Sequence, residues 1–173
     1  MTIDTSLEIR EVESGDLLDY RRAIAAIWPD ASRDRVAEIL PRHAARDGFR
    51  FLGAFSDEEL LGFTYGYLGA AGQWWHDRVA RALGADGAAR WLPPGHFELT
   101  ELHVHADHRR RGIGGALHDA LLASVTAPTA VLSTQTDNRP ALALYTGRRW
   151  QVIVPALDFG SGRPFAILGL DLK

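Results

Sequence analysis

The chain has 173 residues, no cysteine, a formal net charge of −3 and a pI near 6.1. That length supports one core burying about 70% of the unfolded surface, and the missing cysteines exclude a disulfide framework, a thiolate metal site and a cysteine nucleophile. A mildly acidic balance argues against a general nucleic-acid binder, which needs a broad basic surface to neutralise phosphates.

The opening residues, MTIDTSLEIREVESGD, are acidic and carry no signal-peptide core. No apolar run approaches the roughly 18 residues of a membrane span, so the expectation is a soluble, cytoplasmic protein with no membrane partner. Leu7 to Val12 alternates as a half-buried strand. Ser14-Gly15-Asp16 offers caps for a helix through Leu17, Leu18, Ile24 and Ile27 that ends at Trp28-Pro29. A second helix starts near Ser32, with Val36, Ile39 and Leu40 as its apolar stripe, and Pro41 bends or ends it. Phe49 to Phe55 and Leu60 to Leu68 read as strands around the turn Ser56-Asp57-Glu58-Glu59, with Tyr65 and Tyr67 on one face. The stretch 70–95 is longer than an ordinary connection; it has helical spacing from Trp74 to Leu83 and is ended by Gly84 and Asp86-Gly87.

Phe97 to Ser124, FELTELHVHADHRRRGIGGALHDALLAS, organises the rest. Phe97, Leu99, Leu102 and Val104 form a β-prone run, and from Ile113 the apolar residues change to helical spacing. A helix that begins at Gly112-Ile113-Gly114-Gly115 presents amides without intrahelical partners and the positive end of its dipole. Bare glycines let a phosphate oxygen approach the backbone, and Arg109, Arg110 and Arg111 add charge-assisted hydrogen bonds. The implied chemistry is capture of a diphosphate. A Walker loop would need Lys-Ser or Lys-Thr where this chain has Ala116-Leu117, and a dinucleotide fingerprint would set its glycines directly after the strand.

Downstream, Thr129 to Thr134 reads as a strand, Asn138 as a cap, and Pro140 to Arg148 as a helix. Gln151 to Leu157 and Pro164 to Leu172 follow as strands of a closing hairpin around Asp158-Phe159-Gly160-Ser161-Gly162.

Arg109-x-x-Gly112-x-Gly114, preceded by Glu98-Leu99-x-x-Leu102-x-Val104, resembles the acyl-CoA signature of the GNAT superfamily of N-acyltransferases. Asn138, Ala141, Leu144 and Tyr145 resemble that family's second signature, although Arg149-Trp150 stands where Gly-Phe is usual and Gly147 is the candidate to supply the turn. The resemblance implies a single α/β domain over 1–173: a mixed, mostly antiparallel sheet flanked by helices on both faces, with 70–95 as a helical insertion. It also implies acetyl-CoA as co-substrate, its pantetheine arm along Leu102, His103 and Val104, and its diphosphate at Arg109, Arg110, Arg111, Gly112, Ile113, Gly114 and Gly115, with Asn138 as a cap or cofactor contact. Coenzyme A would enter where the central strand and its neighbour diverge.

Acyl transfer to an amine needs a base, an oxyanion donor and a proton for the departing thiolate. By resemblance Glu98 is the first candidate base, with Glu101 and His103 as alternatives, and a backbone amide near Val104 holds the oxyanion. Tyr145 is the candidate acid, since a phenol with an ordinary pKa near 10 stays protonated at neutral pH. With no cysteine to carry an acyl group, the amine attacks directly in a ternary complex. Trp28, Tyr65, Trp74 and Trp75 are candidate contacts for a small-molecule or peptide amine. His103, His105 and His108 have a metal-like spacing, but the adjoining arginines repel a dication, so no metal is expected. A non-catalytic CoA sensor and a transferase of another acyl group are the alternative functions. A homodimer is compatible with the aromatic insertion and closing hairpin, and nothing in the pattern requires it.

Overall fold

A computed structural model describes residues 7–173; residues 1–6, the start of the acidic stretch read above, lie outside the described residues. The described residues form seven strands and five α-helices. The strands are β1 (Leu7–Glu11), β2 (Arg50–Ser56), β3 (Glu59–Leu68), β4 (Phe97–Val104), β5 (Thr129–Gln135), β6 (Gln151–Asp158) and β7 (Pro164–Asp171). They hydrogen-bond in the order β1-β2-β3-β4-β5-β7-β6. The pairs β1–β2, β2–β3, β5–β7 and β6–β7 are antiparallel, whereas β4 and β5 are parallel with Phe97 opposite Ala130 and Glu98 opposite Val131. The sheet is therefore mixed and mostly antiparallel, as the resemblance implied.

The chain divides into two compact units. The first comprises residues 7–67 with Thr100–Val125. Its β2–β3 hairpin turns at Asp57 and Glu58, and Asp57 takes a left-handed conformation (φ 51°) that short polar side chains tolerate. The expected first helix is instead two pieces: Ser14–Tyr20 winds as a tighter 3₁₀ turn, and only then does α1 (Arg21–Ile27) begin, with no side-chain cap. The 3₁₀ winding rises further per residue and sets Leu17 in the core. Trp28 leaves α1 in an extended conformation, which the following Pro29 enforces.

In α2 (Arg33–Ala44), Ser32 Oγ accepts from Arg35 N as a cap. Pro41 does not end this helix. It stands in the last turn, where a single ladder bond is lost, and its carbonyl still accepts from Ala45 N. Val36, Leu40, Ile24 and Ile27 bury against Phe51, Phe55, Phe63 and Tyr65 of β2 and β3. The helix α4 (Ile113–Ala123) packs against β2 and β1, and Leu117 approaches β3 at Gly62, on the side opposite Phe63. Both faces of β3 are thus covered, so its burial runs unbroken from Leu60 to Tyr67. At the carboxyl end of α4, Arg50 Nη1 donates to Ser124 O (3.1 Å) and Nη2 to Glu11 Oε2 (2.7 Å).

The second unit comprises Leu68–Leu99 with Thr126–Lys173. Its helical span α3 (Trp74–Trp91) is two helices in line, and the first ends at Gly84 as expected. Gly84 adopts φ 74° and ψ 176°, which kinks the helix, but winding resumes through Gly87 to Trp91. The second helix was not expected from the sequence, and it is held by packing: Trp91 and Val79 join Val131 and Ile167 in a core, and Thr129 Oγ1 donates to Trp91 O. The next helix, α5 (Arg139–Thr146), is capped by Asn138 Oδ1, which accepts from Ala141 N. Gly147 does not supply the turn that follows; it is right-handed (φ −64°), and Arg149 takes the left-handed position at φ 67°. Asp158 Oδ1 closes the β6–β7 hairpin by accepting from Gly160 N and Gly162 N. No helix among the described residues is long and apolar enough to cross a membrane.

Candidate active site

The glycine step has the geometry of an anion cradle. After β4, residues Ala106–His108 make a short 3₁₀ turn in which His105 Nδ1 accepts from Asp107 N. Arg109 Nε donates back to Val104 O at 3.1 Å, and Arg110 is left-handed at φ 60°. Gly112 then caps α4 at φ 83°, a conformation open to glycine at little cost. The first ladder bond of α4 runs from Ala116 N to Gly112 O, so the amides of Ile113, Gly114 and Gly115 come before any intrahelical donor. The guanidinium-bearing residues 109–111 are all exposed beside this positive helix end. Leu102, His103 and Val104 close β4, half-buried, and His105 N donates to Leu61 O at 2.7 Å.

Two histidine–glutamate pairs sit at opposite ends of β4, each spaced by two residues so that both side chains leave the strand on one side. The first is Glu98 with His96. Their side chains are 4% and 1% exposed, with His96 Nε2 3.3 Å from Glu98 Oε1. His96 Nδ1 lies 2.9 Å from Pro93 O, which only accepts, so Nδ1 carries a proton. Nε2 and Oε1 therefore face each other in a place with almost no access to water, where each is the other's polar neighbour. Gly69 covers the pair: its N donates to His96 O, and a Cβ there would collide with His96 Nε2 and Glu98 Oε1. The ring of His76 stands 5.3 Å from that of His96.

The second pair is Glu101 with His103, 2.5 Å apart between Oε2 and Nε2, and the side chains keep 25% and 23% of their surface in solvent. The imidazole stacks on Trp28 (5.9 Å between centroids, 24° between planes) and tilts against Phe63. Trp28 also meets Tyr65 edge-on. Tyr65 is fully buried, its hydroxyl 3.0 Å from His43 Nδ1. Burial, and then the negative charge of Glu101, push the Tyr65 phenol well above its ordinary pKa. Burial beside Arg46 and Arg42 pulls His43 down to about 4, so its imidazole is neutral at physiological pH.

Of the residues singled out from the sequence, the first unit brings Trp28, Tyr65, Glu101 and His103 together. In the second unit Glu98 joins His96, Trp75 Nε1 donates to Ser133 Oγ, and Trp74, 57% exposed, meets Phe159. Tyr145 is buried with its ring edge-on to Trp150. His103, His105 and His108 do not all converge: the rings of His105 and His108 meet edge-on at 5.7 Å, while His103 turns to Glu101. Among the described residues no group of three or more His, Cys, Asp or Glu could hold a metal ion. His43 and His96 are the polar partners that the sequence reading passed over. The two-residue spacing of His96 and Glu98 on a β-prone stretch was the available signal; nothing local marks His43.

Residues 11–148 match the model of the acetyltransferase (GNAT) family. The chain belongs to that family. The GCN5-like protein acetyltransferase Rv2170 of Mycobacterium tuberculosis is 40% identical over 126 residues, which are 68% of this chain and 61% of that relative's length. Among solved structures, aminoglycoside 6'-acetyltransferase type Ii superposes with a TM-score of 0.69 at 18% identity, covering 96% of this chain and 97% of that one. The yncA structure from Salmonella typhimurium with its cofactor acetyl-CoA superposes at 0.64 and 17% identity, covering 98% and 95%. At such identities the two superpositions establish the fold.

Proposed function

We propose that the chain is an N-acetyltransferase that moves an acetyl group from acetyl-CoA to a primary amine of a small molecule or peptide, by direct attack in a ternary complex. The observation that carries this reading is the row of amides of Ile113, Gly114 and Gly115 ahead of the first ladder bond of α4, flanked by three exposed arginines. Such a row fits a diphosphate, and the left-handed Gly112 sets its entry angle. The family membership and the acetyl-CoA held by the yncA structure support the choice of co-substrate. The relatives named above act on a protein and on an aminoglycoside, which supports an amine acceptor and leaves its class to the groove.

In this reading residues 1–173 are one catalytic domain, and 70–95 is an insertion that offers Trp74 and Trp75 to the acceptor. Arg109, Arg110 and Arg111 hold the diphosphate with the glycine-step amides, and the backbone of Leu102, His103 and Val104 pairs with the pantetheine amides as an added strand would. A backbone amide near Val104 takes the developing oxyanion. The base comes from β4, where Glu98, Glu101 and His103 are the candidates, and Tyr145 supplies the proton to the thiolate. Trp28 and Tyr65 wall the acceptor side.

Calorimetry with acetyl-CoA and with free coenzyme A, alongside thiol release with spermidine, kanamycin and a tripeptide amine, tests the reading. Micromolar binding with amine-dependent thiol release is the expected result. Binding without release from any amine favours a CoA sensor, and no binding of either coenzyme form overturns the reading.

A further inference from the structure

The Glu101–His103 pair is built as a base rather than as a structural tie. A carboxylate only accepts, so the single proton of a neutral His103 sits on Nε2, facing Glu101 Oε2, and Nδ1 keeps its lone pair. Among the described residues Nδ1 has no hydrogen-bond partner. The ring packs against Trp28 and Phe63, which also touch one another, so the three rings brace each other. At 23% and 25% exposure the two side chains are within reach of a solute, whereas Glu98 and His96 are sealed.

We propose that His103 is the general base that deprotonates the acceptor amine, with Glu101 as the positioning residue that fixes its tautomer; the proposal rests on the N-acetyltransferase reading. An acceptor ammonium with an ordinary amine pKa near 10 must lose a proton before its nitrogen can attack. That proton passes to His103 Nδ1, and the imidazolium charge is met by Glu101. The neutral nitrogen bonds to the thioester carbon, the C–S bond breaks and its electron pair leaves with sulfur. The second amine proton ends on that sulfur. The imidazolium then returns its proton to solvent, so the products are an amide, a thiol and one proton.

Two measurements test this. In histidine ¹⁵N-labelled protein, His103 should show a protonated Nε2 and a bare Nδ1, and Glu101→Ala should blur this into a mixture of tautomers. In thiol release from acetyl-CoA with spermidine or kanamycin, His103→Gln should lower kcat by about 10²–10⁴-fold, the usual span of a general base, and by more than Glu98→Gln does. Calorimetric affinity of that variant for acetyl-CoA should stay within roughly threefold, or about 0.6 kcal/mol. Added imidazole should partly restore His103→Ala, which a merely structural loss would not permit. A wild-type proton on Nδ1, a His103→Gln variant with undiminished kcat, or a larger loss in Glu98→Gln than in His103→Gln overturns the inference and leaves the transferase reading standing. A wild-type chain that neither binds acetyl-CoA nor releases thiol overturns both.

Discussion

The same two side chains, histidine and glutamate, occur as a pair at each end of β4, yet their surroundings assign them opposite characters. Glu98 and His96 lie under Gly69 with almost no exposed surface and face one another. Glu101 and His103 lie against Trp28 with a quarter of each side chain in solvent and one ring nitrogen uncommitted. What differs is access. A dry pair whose members satisfy one another serves the fold, whereas a pair with one satisfied and one open nitrogen is ready to exchange a proton with a visitor.

The strongest blow to the sealed pair is Gly69→Ala. A Cβ there collides with both partners, so unfolding in urea should show a loss of about 3 kcal/mol, the upper end for forced overpacking. Full stability in that variant would mean the pair is not sealed at all. A parallel substitution sharpens the contrast. Glu98→Gln should cost about 1–3 kcal/mol because it disturbs a buried, mutually satisfied pair, while Glu101→Gln should cost about 0.5 kcal/mol, as expected of a partly exposed one. Equal losses would erase the distinction.

His43 probes the wall beside the open pair. Its folded pKa of about 4 lies below the ordinary 6.5, so the unfolded chain binds the extra proton between those values. Stability should therefore fall as pH drops from 6.5 toward 4 and be fully present above 6.5. His43→Gln should lack this component, on the order of 1 kcal/mol once the solvent-facing part of the ring is allowed for, in urea midpoints compared at pH 4 and 7. The smallest effect lies outside both pairs: Arg149→Gly relieves a left-handed φ of 67°, and after glycine's own entropy is charged against it should raise stability by about 0.5 kcal/mol in thermal melts.

Much of the first-order pattern was legible in the chain itself. Ser32 and Asn138 cap the helices their positions announced, Asp57 turns the hairpin, and the period change at Gly112 marks the passage from β4 to α4. These are local signals, and local physics decides them. The misreadings share another cause. Gly84 does end the first helix of α3, but a second, unexpected helix follows because Trp91 finds a core to fill. Pro41 is tolerated because it stands in the last turn, and Arg149 accepts a glycine conformation while Gly147 remains helical. The complete burial of Tyr65 could not be read from alternation, because helices on both sides of β3 remove the polar face that alternation would reveal. In the candidate site the residue types on β4 were visible, but which carboxylate is sealed and which is open depends on Gly69 and Trp28, far apart in sequence.

Arg50 ties down the carboxyl end of α4. Its guanidinium grips the last carbonyl of the Ser124 turn and is itself tethered to Glu11, so the electron-rich tail of α4 is already neutralised from the strand side. A guanidinium there meets the negative end of the helix dipole, an effect confined to the last turn. Glu11 and Arg50, on the first two strands, thus fasten the far end of α4 to the sheet, so the helix that begins at Gly112 is anchored from its tail.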